Sequence, residues 1–483
     1  MKKMISTLLL VLFVGATGAA AAPQGSEWGA LNADVMALYK EKRYAQATIL
    51  AKEALRVAEN TGPEHPDTAT SLNNLAGLYD AQGKYAEVEP LYKRSLAIRE
   101  NILGPAHTDV AASLNNLAGL YKNQGRYSEA EPLFKRAVEI REKAFGPDHP
   151  GVTTSMNSLA GLYKTQGQYA LAEPLYKKLL LNKEKDLGTD HPDVVPSLNN
   201  LAGIYYAMGN YAQAEPLYSR VVAIREKALG PDHPDVATSL NNLAGLYFAK
   251  QEYARAEPLY SRALAIKEKA LGANHPDVAA NLSNLALLNK LQGHYEHAEQ
   301  LYRQELAIKE QHLGPEHPDV ATILNNLAVL CKMQGHYAQA EQPGKRSLAI
   351  REKTLGPDHP DVSTSLTHLA GIYYALGKYT QAEPLYKRAL AVKEKTLGPD
   401  HLEVATSLNN LAGLYYNEEL YSQAEPLYKR SLAIKEKALG PLHPTVATSL
   451  ENMSILYYKT GQKKTAKDLE KRAAAIRALA HQN

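Results

Sequence analysis

PDTATSLNNLAGLYDAQGKYAEVEPLYKRSLAIRENILGPAH, residues 66–107, is the stretch of sequence that decides the fold. In its first half, apolar residues recur at the spacings of one face of an amphipathic helix: Leu72, Leu75, Ala76 and Tyr79. Gly83 then interrupts the pattern with a residue suited to a left-handed turn. A second helix is predicted from about Ala86 to Leu103, where Gly104-Pro105 ends it. The stretch therefore predicts two antiparallel helices.

The same stretch recurs every 42 residues without insertion or deletion. Its register is marked by His65, His107, His149, His191, His233, His275, His317, His359, His401 and His443. Residues 66–483 thus form ten repeats, numbered here 1 to 10, and residues 22–65 form a degenerate first repeat with its lead-in. The last second helix, rich in Lys, Arg and Ala, is predicted to cap the array. Because one helix pair cannot bury its apolar stripes alone, neighbouring repeats must stack into an all-α solenoid.

The N-terminus predicts export. Lys2 and Lys3 precede an apolar run from Met4 to Val14, which is too short to span a bilayer and has the length of a signal-peptide core. Small residues follow, and residues 19–21 fit a signal-peptidase site. We therefore expect residues 1–21 to be a cleaved signal peptide and the mature protein to be periplasmic or secreted, with no stable membrane span.

Composition argues against several classes of protein. The chain has 54 Lys and Arg against 51 Asp and Glu, so it lacks the concentrated basic surplus of a nucleic-acid-binding protein. With a single cysteine, Cys331, it cannot form an intrachain disulfide.

The recurring LNNLAGLY and EPLYKR segments resemble the tetratricopeptide repeat, in the 42-residue form found in kinesin light chains. The resemblance extends from about Trp28 to the C-terminus. It implies a right-handed superhelix, with the first helices on the concave face and the second helices on the convex face. It also implies a protein or peptide partner in the concave groove, and no catalysis.

Asparagines recur in the middle of the first helices, where the resemblance places the groove. The groove asparagines are Asn73, Asn115, Asn116, Asn157, Asn199, Asn200, Asn241, Asn242, Asn325 and Asn409. An amide side chain has donors and an acceptor, so such a row can pair with the backbone of an extended peptide. The same amides can instead bridge neighbouring repeats. The sequence leaves both interpretations open, and each pair can divide the two roles.

One position later in the groove varies between repeats and is predicted to set selectivity. Lysines there would favour acidic residues of a partner (Lys122 and Lys164), whereas aromatic rings would bury apolar ones (Tyr206, Phe248, Tyr374 and Tyr416). Glycines beside these positions leave room for a ligand chain: Gly119, Gly161, Gly203 and Gly245. The alternative is that these side chains are solvated and bind nothing.

The sequence offers no metal, cofactor or catalytic site. Each periodic histidine occupies an equivalent loop of a different repeat, so the copies cannot converge on one ion, and we expect them to cap the next helix. Charge pairs such as Arg99-Glu100 and Arg141-Glu142 also follow the period and are expected to be exposed. The predicted function is a non-catalytic interaction scaffold; the alternative is a repeat protein that binds cell-envelope glycans. The sequence leaves the oligomeric state open.

Repeat 7 departs most from the pattern. Where Glu-Pro-Leu-Tyr is usual, it has Glu341-Gln342-Pro343-Gly344. The proline is one residue deeper than elsewhere, and two packing residues are missing. We therefore expect its second helix to start late or to kink, which would make this repeat a weak joint.

Overall fold

The computed structural model describes residues 27–480, and within that range the chain is helical throughout, with no β-strand. The all-α class and the consecutive helix pairs are confirmed, whereas the handedness of the superhelix stays a prediction. The predicted signal peptide lies outside the described residues. The helices are α1 (Glu27–Lys40), α2 (Tyr44–Thr61), α3 (Pro66–Ala81), α4 (Tyr85–Leu103), α5 (Thr108–Asn123), α6 (Tyr127–Phe145), α7 (Pro150–Thr165), α8 (Tyr169–Leu187), α9 (Val195–Ala207), α10 (Tyr211–Leu229), α11 (Pro234–Ala249), α12 (Tyr253–Leu271), α13 (Pro276–Leu291), α14 (Tyr295–Leu313), α15 (Pro318–Met333), α16 (Tyr337–Leu355), α17 (Pro360–Ala375), α18 (Tyr379–Leu397), α19 (Leu402–Asn417), α20 (Tyr421–Leu439), α21 (Pro444–Lys459) and α22 (Lys463–Ala480).

The helices divide between two compact units, Met1–Pro231 and Asp232–Asn483. Within each unit, odd-numbered helices are the first helices of repeats and even-numbered helices are the second. In repeat 4, a short 3₁₀ turn at Pro192–Val194 replaces the first turn of the helix. Pro196, early in α9, accounts for this break because proline lacks the N–H that would extend the helix backwards. None of the described helices has the length and apolarity that a membrane crossing requires.

In repeats 1 to 10, a histidine caps the first helix or, in repeat 4, the 3₁₀ turn that precedes it. The backbone N–H of Asp67 donates to Nδ1 of His65 at 3.2 Å, which satisfies a donor that the helix itself leaves unpaired. The same cap occurs at the corresponding histidine of all ten repeats. The predicted capping role of the histidines is confirmed.

Glycines of positive φ make the turn within most repeats. Gly83 has φ 73°. This conformation is unfavourable for residues with a side chain because their Cβ would come too close to the backbone, whereas glycine has no Cβ. Lys42, Gln251 and Glu419 take this conformation in the helix pairs that lack the glycine. The second helix then begins at Tyr85, one residue earlier than predicted, and ends at Leu103 as predicted.

Within each unit, the core of a repeat lies between its two helices and the first helix of the repeat that follows it in that unit. Leu72, Ala76 and Val88 have no exposed surface, and Tyr92 is 8% exposed. Leu72 and Ala76 belong to the apolar stripe read from the sequence, so local periodicity determines which face of the first helix is buried.

The expected late start of the second helix in repeat 7 is wrong. Helix α16 begins at Tyr337, the position at which the other second helices begin, and continues through Pro343. Ala340, Leu348 and Ile350 are buried on either side of the proline, and this packing holds the helix together despite a penalty of about 3 kcal/mol for an interior proline.

Repeat 7 remains the predicted weak joint. We expect limited proteolysis of the full chain to cut within α16 faster than within α14 or α18. Pro343 lies one residue deeper in its helix than Pro384 of α18, and Gly344 removes a buried ring, so local opening is easier in α16. Mass spectrometry of the early fragments would locate the cuts. Equal protection of the three helices would contradict the prediction.

Candidate functional site

The groove asparagines lie on first helices, and several of them bridge neighbouring repeats. Asn116 donates from Nδ2 to Oδ1 of Asn73 at 2.7 Å, and Asn452 donates to Asn409 in the same way at 3.0 Å. The first pair spans repeats 1 and 2 and the second spans repeats 9 and 10. Each bridge leaves the amide further hydrogen-bonding capacity, so it does not by itself exclude a ligand at these residues.

Two of the ten are buried, which supports the bridging interpretation for them. Asn115 is 2% exposed and donates to Oγ of Ser155 at 2.6 Å. Asn325 is 7% exposed, and its Oδ1 lies 2.8 Å from Nδ1 of His368. Groove binding was predicted for both, but an extended peptide could not reach amides covered by the next repeat.

The remaining groove asparagines keep some exposed surface. Asn157, Asn199, Asn200 and Asn241 are partly buried, and Asn242 is exposed. Asn241 also donates to Oδ1 of Asn281 at 3.0 Å. Peptide binding by these amides stays a prediction.

Lys122 and Lys164 lie on consecutive first helices, α5 and α7. Partial burial lowers the pKa of both amines, and Lys164 adds to the effect at Lys122. No carboxylate within residues 27–480 lies at ion-pair distance from either amine. In the C-terminal unit, Lys290 and Lys332 repeat the arrangement on α13 and α15, and burial lowers their pKa as well.

Two of the four glycines expected to leave room for a ligand, Gly161 and Gly203, lie against a lysine of the preceding repeat, whereas a Cβ built on Gly119 would meet nothing within 4 Å. A Cβ built on Gly161 would lie 3.3 Å from Nζ of Lys122, and one on Gly203 would lie 3.9 Å from Nζ of Lys164. The space above Gly161 therefore accommodates the lysine of the preceding repeat rather than standing open for a ligand chain. A Cβ built on Gly371 would likewise lie 2.7 Å from Nζ of Lys332.

The four aromatic residues of the variable position each pack on the tyrosine that begins the second helix of the same repeat. Ring centroids are 5.6–5.7 Å apart in tilted pairs: Tyr206–Tyr211, Phe248–Tyr253, Tyr374–Tyr379 and Tyr416–Tyr421. Tyr206 is 40% exposed, and the hydroxyl of Tyr374 accepts a hydrogen bond from Asn417. These edge contacts hold the rings in place and leave part of their surface open. They do not specifically favour sugars over apolar side chains.

A second ladder connects repeats through the Glu-Pro motif. The hydroxyl of Tyr121 donates to Oε1 of Glu89 at 3.0 Å, and Arg126 and Lys93 pair with the same carboxylate. Arg126, followed by Lys93, holds the pKa of Glu89 at about 2, so the carboxylate is charged at neutral pH. The Tyr-to-Glu contact recurs at Tyr163, Tyr205, Tyr415 and Tyr457. This motif therefore serves the stacking of repeats.

The expectation that Arg99 and Arg141 form exposed charge pairs is wrong. Arg99 is partly buried and donates to Oγ of Ser113 in the next repeat at 2.8 Å. Arg141 is only 7% exposed. Burial lowers the pKa of both guanidinium groups. The helical period places these cations at the joint between repeats, where serine and backbone oxygens can solvate them.

A cavity of about 300 Å³ opens between the first helices of repeats 7 and 8. Val329, Lys332 and Met333 line it from α15, and His368 and Ile372 line it from α17. Burial lowers the pKa of His368 to about 4, and nearby cations reinforce the shift, so the imidazole is neutral at pH 7. The repeat pattern did not predict this site, although two residues near it, Val329 and Gly344, depart from the period. Among residues 27–480, no group of three or more His, Cys, Asp or Glu residues is placed to hold a metal ion.

Solved structures of repeat proteins are similar to parts of the chain. TPR-like repeats attributed to a kinesin light chain of Podosopora anserina are 32% identical, cover 43% of this chain and 98% of that chain, and have a TM-score of 0.40. BtubC (BKLC) of P. vanneervenii is 28% identical over 47% of this chain and 92% of that one, with a TM-score of 0.42. A tetratricopeptide repeat protein of Parabacteroides merdae is 19% identical, covers 59% of this chain and 94% of that chain, and has a TM-score of 0.40. No curated protein matches the chain significantly.

Two sequence models described as tetratricopeptide repeat match the chain directly. One matches residues 35–101, 109–185, 193–269, 235–311, 344–395, 361–437 and 403–478, and the other matches residues 320–361. The matched segments agree with the helix pairs and together cover far more than half of the sequence. The chain therefore belongs to the tetratricopeptide repeat family.

Proposed function

We propose that this protein is a non-catalytic scaffold that binds a protein or peptide along the face formed by its first helices. Tetratricopeptide repeat proteins are generally protein-interaction scaffolds. We also propose that it works in the periplasm or outside the cell, a proposal that rests on the signal-like residues 1–21.

One observation carries the proposal. Lys122 and Lys164 stand on consecutive first helices, and their amines are partly desolvated without a carboxylate partner in the described part of the chain. Partial desolvation strengthens the attraction of an amine for an incoming carboxylate. Partly exposed amides and aromatic rings lie at neighbouring positions of other first helices, as a groove for a peptide of mixed character requires.

Reversing both charges should weaken binding of an acidic partner. We expect Lys122→Glu with Lys164→Glu to weaken binding by about tenfold or more, because two attractive contacts become repulsive. The measurement is affinity capture from envelope extract with the purified full chain. Binding of the main captured protein is then titrated by calorimetry.

The matched control is Lys143→Glu with Lys185→Glu. These lysines are exposed at the ends of second helices α6 and α8, and the control changes the net charge by the same amount. Circular dichroism would verify that both double variants fold. Unchanged binding by the groove variant, or equal losses in the two variants, would refute a specific role for the first-helix lysines.

A further inference from the structure

Repeat 7 lacks a ring that most repeats bury. In six repeats, the hydroxyl of a second-helix tyrosine lies 3.5–3.9 Å from a Cβ built on a first-helix glycine: Tyr92 with Gly77, Tyr176 with Gly161, Tyr218 with Gly203, Tyr260 with Gly245, Tyr386 with Gly371 and Tyr428 with Gly413. Repeat 7 has Val329 in place of the glycine and Gly344 in place of the tyrosine. Repeat 6 keeps its buried ring, Tyr302, although Leu287 replaces the glycine. Among repeats 1 to 9, only repeat 7 therefore lacks the ring, at position 344; the capping repeat 10 has Glu470 at the equivalent position.

The cavity between α15 and α17 adjoins the place of the missing ring. Ile372 lines the cavity, and its Cδ1 also lies 3.5 Å from a Cβ built on Gly344. Val329, which lines the cavity too, occupies the position that the tyrosine hydroxyl faces in other repeats. A volume of about 300 Å³ is at the small end of ligand pockets and fits one side chain or a small molecule.

The cavity combines apolar walls with positive charge. Val329, Met333 and Ile372 form the apolar lining, and Met333 is 47% exposed, so the site is open to solvent. Lys332 supplies an amine with no carboxylate at ion-pair distance within residues 27–480. The charged groups with the largest effects on the pKa of His368 are cations: Lys332, Arg351, Lys290 and Lys393. An anion would therefore be attracted here.

We propose that this cavity binds an apolar group that carries one carboxylate. The apolar part contacts Val329, Met333 and Ile372, and the carboxylate pairs with Nζ of Lys332. The inference rests on the proposed function in that a bound protein would supply this group from an acidic segment. A free small organic acid has the same chemistry, and the experiment separates the two sources.

The first arm uses the full chain and 3-phenylpropionate, with 3-phenylpropanol as the neutral control. We expect the acid to bind with a dissociation constant on the order of 1 mM, as befits a small ligand, and the alcohol about tenfold more weakly. Lys332→Met keeps the apolar stem and should weaken binding of the acid about tenfold without affecting binding of the alcohol. Lys143→Met, at an exposed lysine of the other unit, is the matched control and should change the binding of neither probe. Methyl NMR shifts of Met333 would locate the bound probe.

The second arm fills the pocket with Gly344→Tyr. This variant should lose 3-phenylpropionate binding. If it also binds the captured protein more weakly, the protein is the source of the carboxylate; if capture is unchanged, the source is a free acid, and both results support the cavity as the site. Absence of acid binding at about 10 mM, or equal binding by Lys332→Met, would overturn the inference. The proposed function would still stand in that case if the Lys122 and Lys164 reversal weakened capture.

Discussion

Replacing Glu305 with glutamine should raise the free energy of unfolding of the C-terminal unit by about 2 to 3 kcal/mol at pH 8. Glu305 is 6% exposed, and its Oε2 has no hydrogen-bond partner among the described residues. Other repeats place Ser, Ala, Leu or Val at this packing position: Ser95, Ala137, Leu179, Val221, Ala263, Ser347, Ala389, Ser431 and Ala473. Repeat 6 therefore buries a carboxyl group where its neighbours bury small or apolar side chains.

The pH dependence follows from the direction of the pKa shift. Burial raises the pKa of Glu305 from 4.5 to about 7; Ser283 and Lys309 oppose the shift and Asp319 reinforces it. The folded state thus holds a proton that the unfolded chain releases between pH 4.5 and 7. Stability falls as the pH rises through this window and is constant above it. Below pH 4.5 the carboxyl is neutral in both states, so the gain from glutamine should vanish there.

Urea unfolding of the full chain at pH 4, 6 and 8 would measure the gain, and hydrogen exchange of peptides from α13 to α15 would assign it to repeat 6. Glu296→Gln is the matched control, because Glu296 is exposed in the first turn of the same helix. This control should not change stability in a pH-dependent way. An equal gain from Glu305→Gln at all three pH values would show that the carboxylate charge is not the cause.

Tyr428→Gly should destabilise the C-terminal unit by about 4 to 6 kcal/mol, the largest effect expected here. Tyr428 is 5% exposed and packs in a cluster with Leu411, Leu414 and Tyr415. Removing its ring leaves a cavity, and glycine adds the entropic cost of a flexible residue inside a helix. The substitution reproduces in repeat 9 what repeat 7 has at Gly344.

The reverse substitution, Gly344→Tyr, should stabilise the same unit by only about 2 kcal/mol. The neighbours of Gly344 have already closed part of the space: a Cβ there would lie 3.3 Å from Cδ1 of Leu369, which must shift. Chemical denaturation of both variants, with Tyr421→Phe as a conservative control, would test the asymmetry. If Gly344→Tyr raised the free energy of unfolding by as much as Tyr428→Gly lowered it, the space beside Gly344 would not have partly closed. If Gly344→Tyr lowered the free energy of unfolding, the ring would no longer fit.

The sequence predicted the parts of the fold that depend on nearby residues. The apolar stripe of Leu72, Leu75 and Ala76, the turn at Gly83 and the cap at His65 involve contacts within a few positions, and the structure confirms them. Late initiation of α16 was predicted from an equally local rule and is wrong, because packing from other helices outweighs the penalty of Pro343.

By itself, the sequence determined the helix pairs, their register and their stacking, since these follow from short-range periodicity repeated ten times. Only the tertiary structure decided which polar residues are used between repeats. Tyr121 meets Glu89 across 32 positions and Asn116 meets Asn73 across 43. The lysine that occupies the space above Gly161 and the cavity beside His368 likewise combine side chains from two repeats. Such contacts depend on how far one helix pair is displaced and rotated relative to the next, and no local pattern in the chain encodes that geometry.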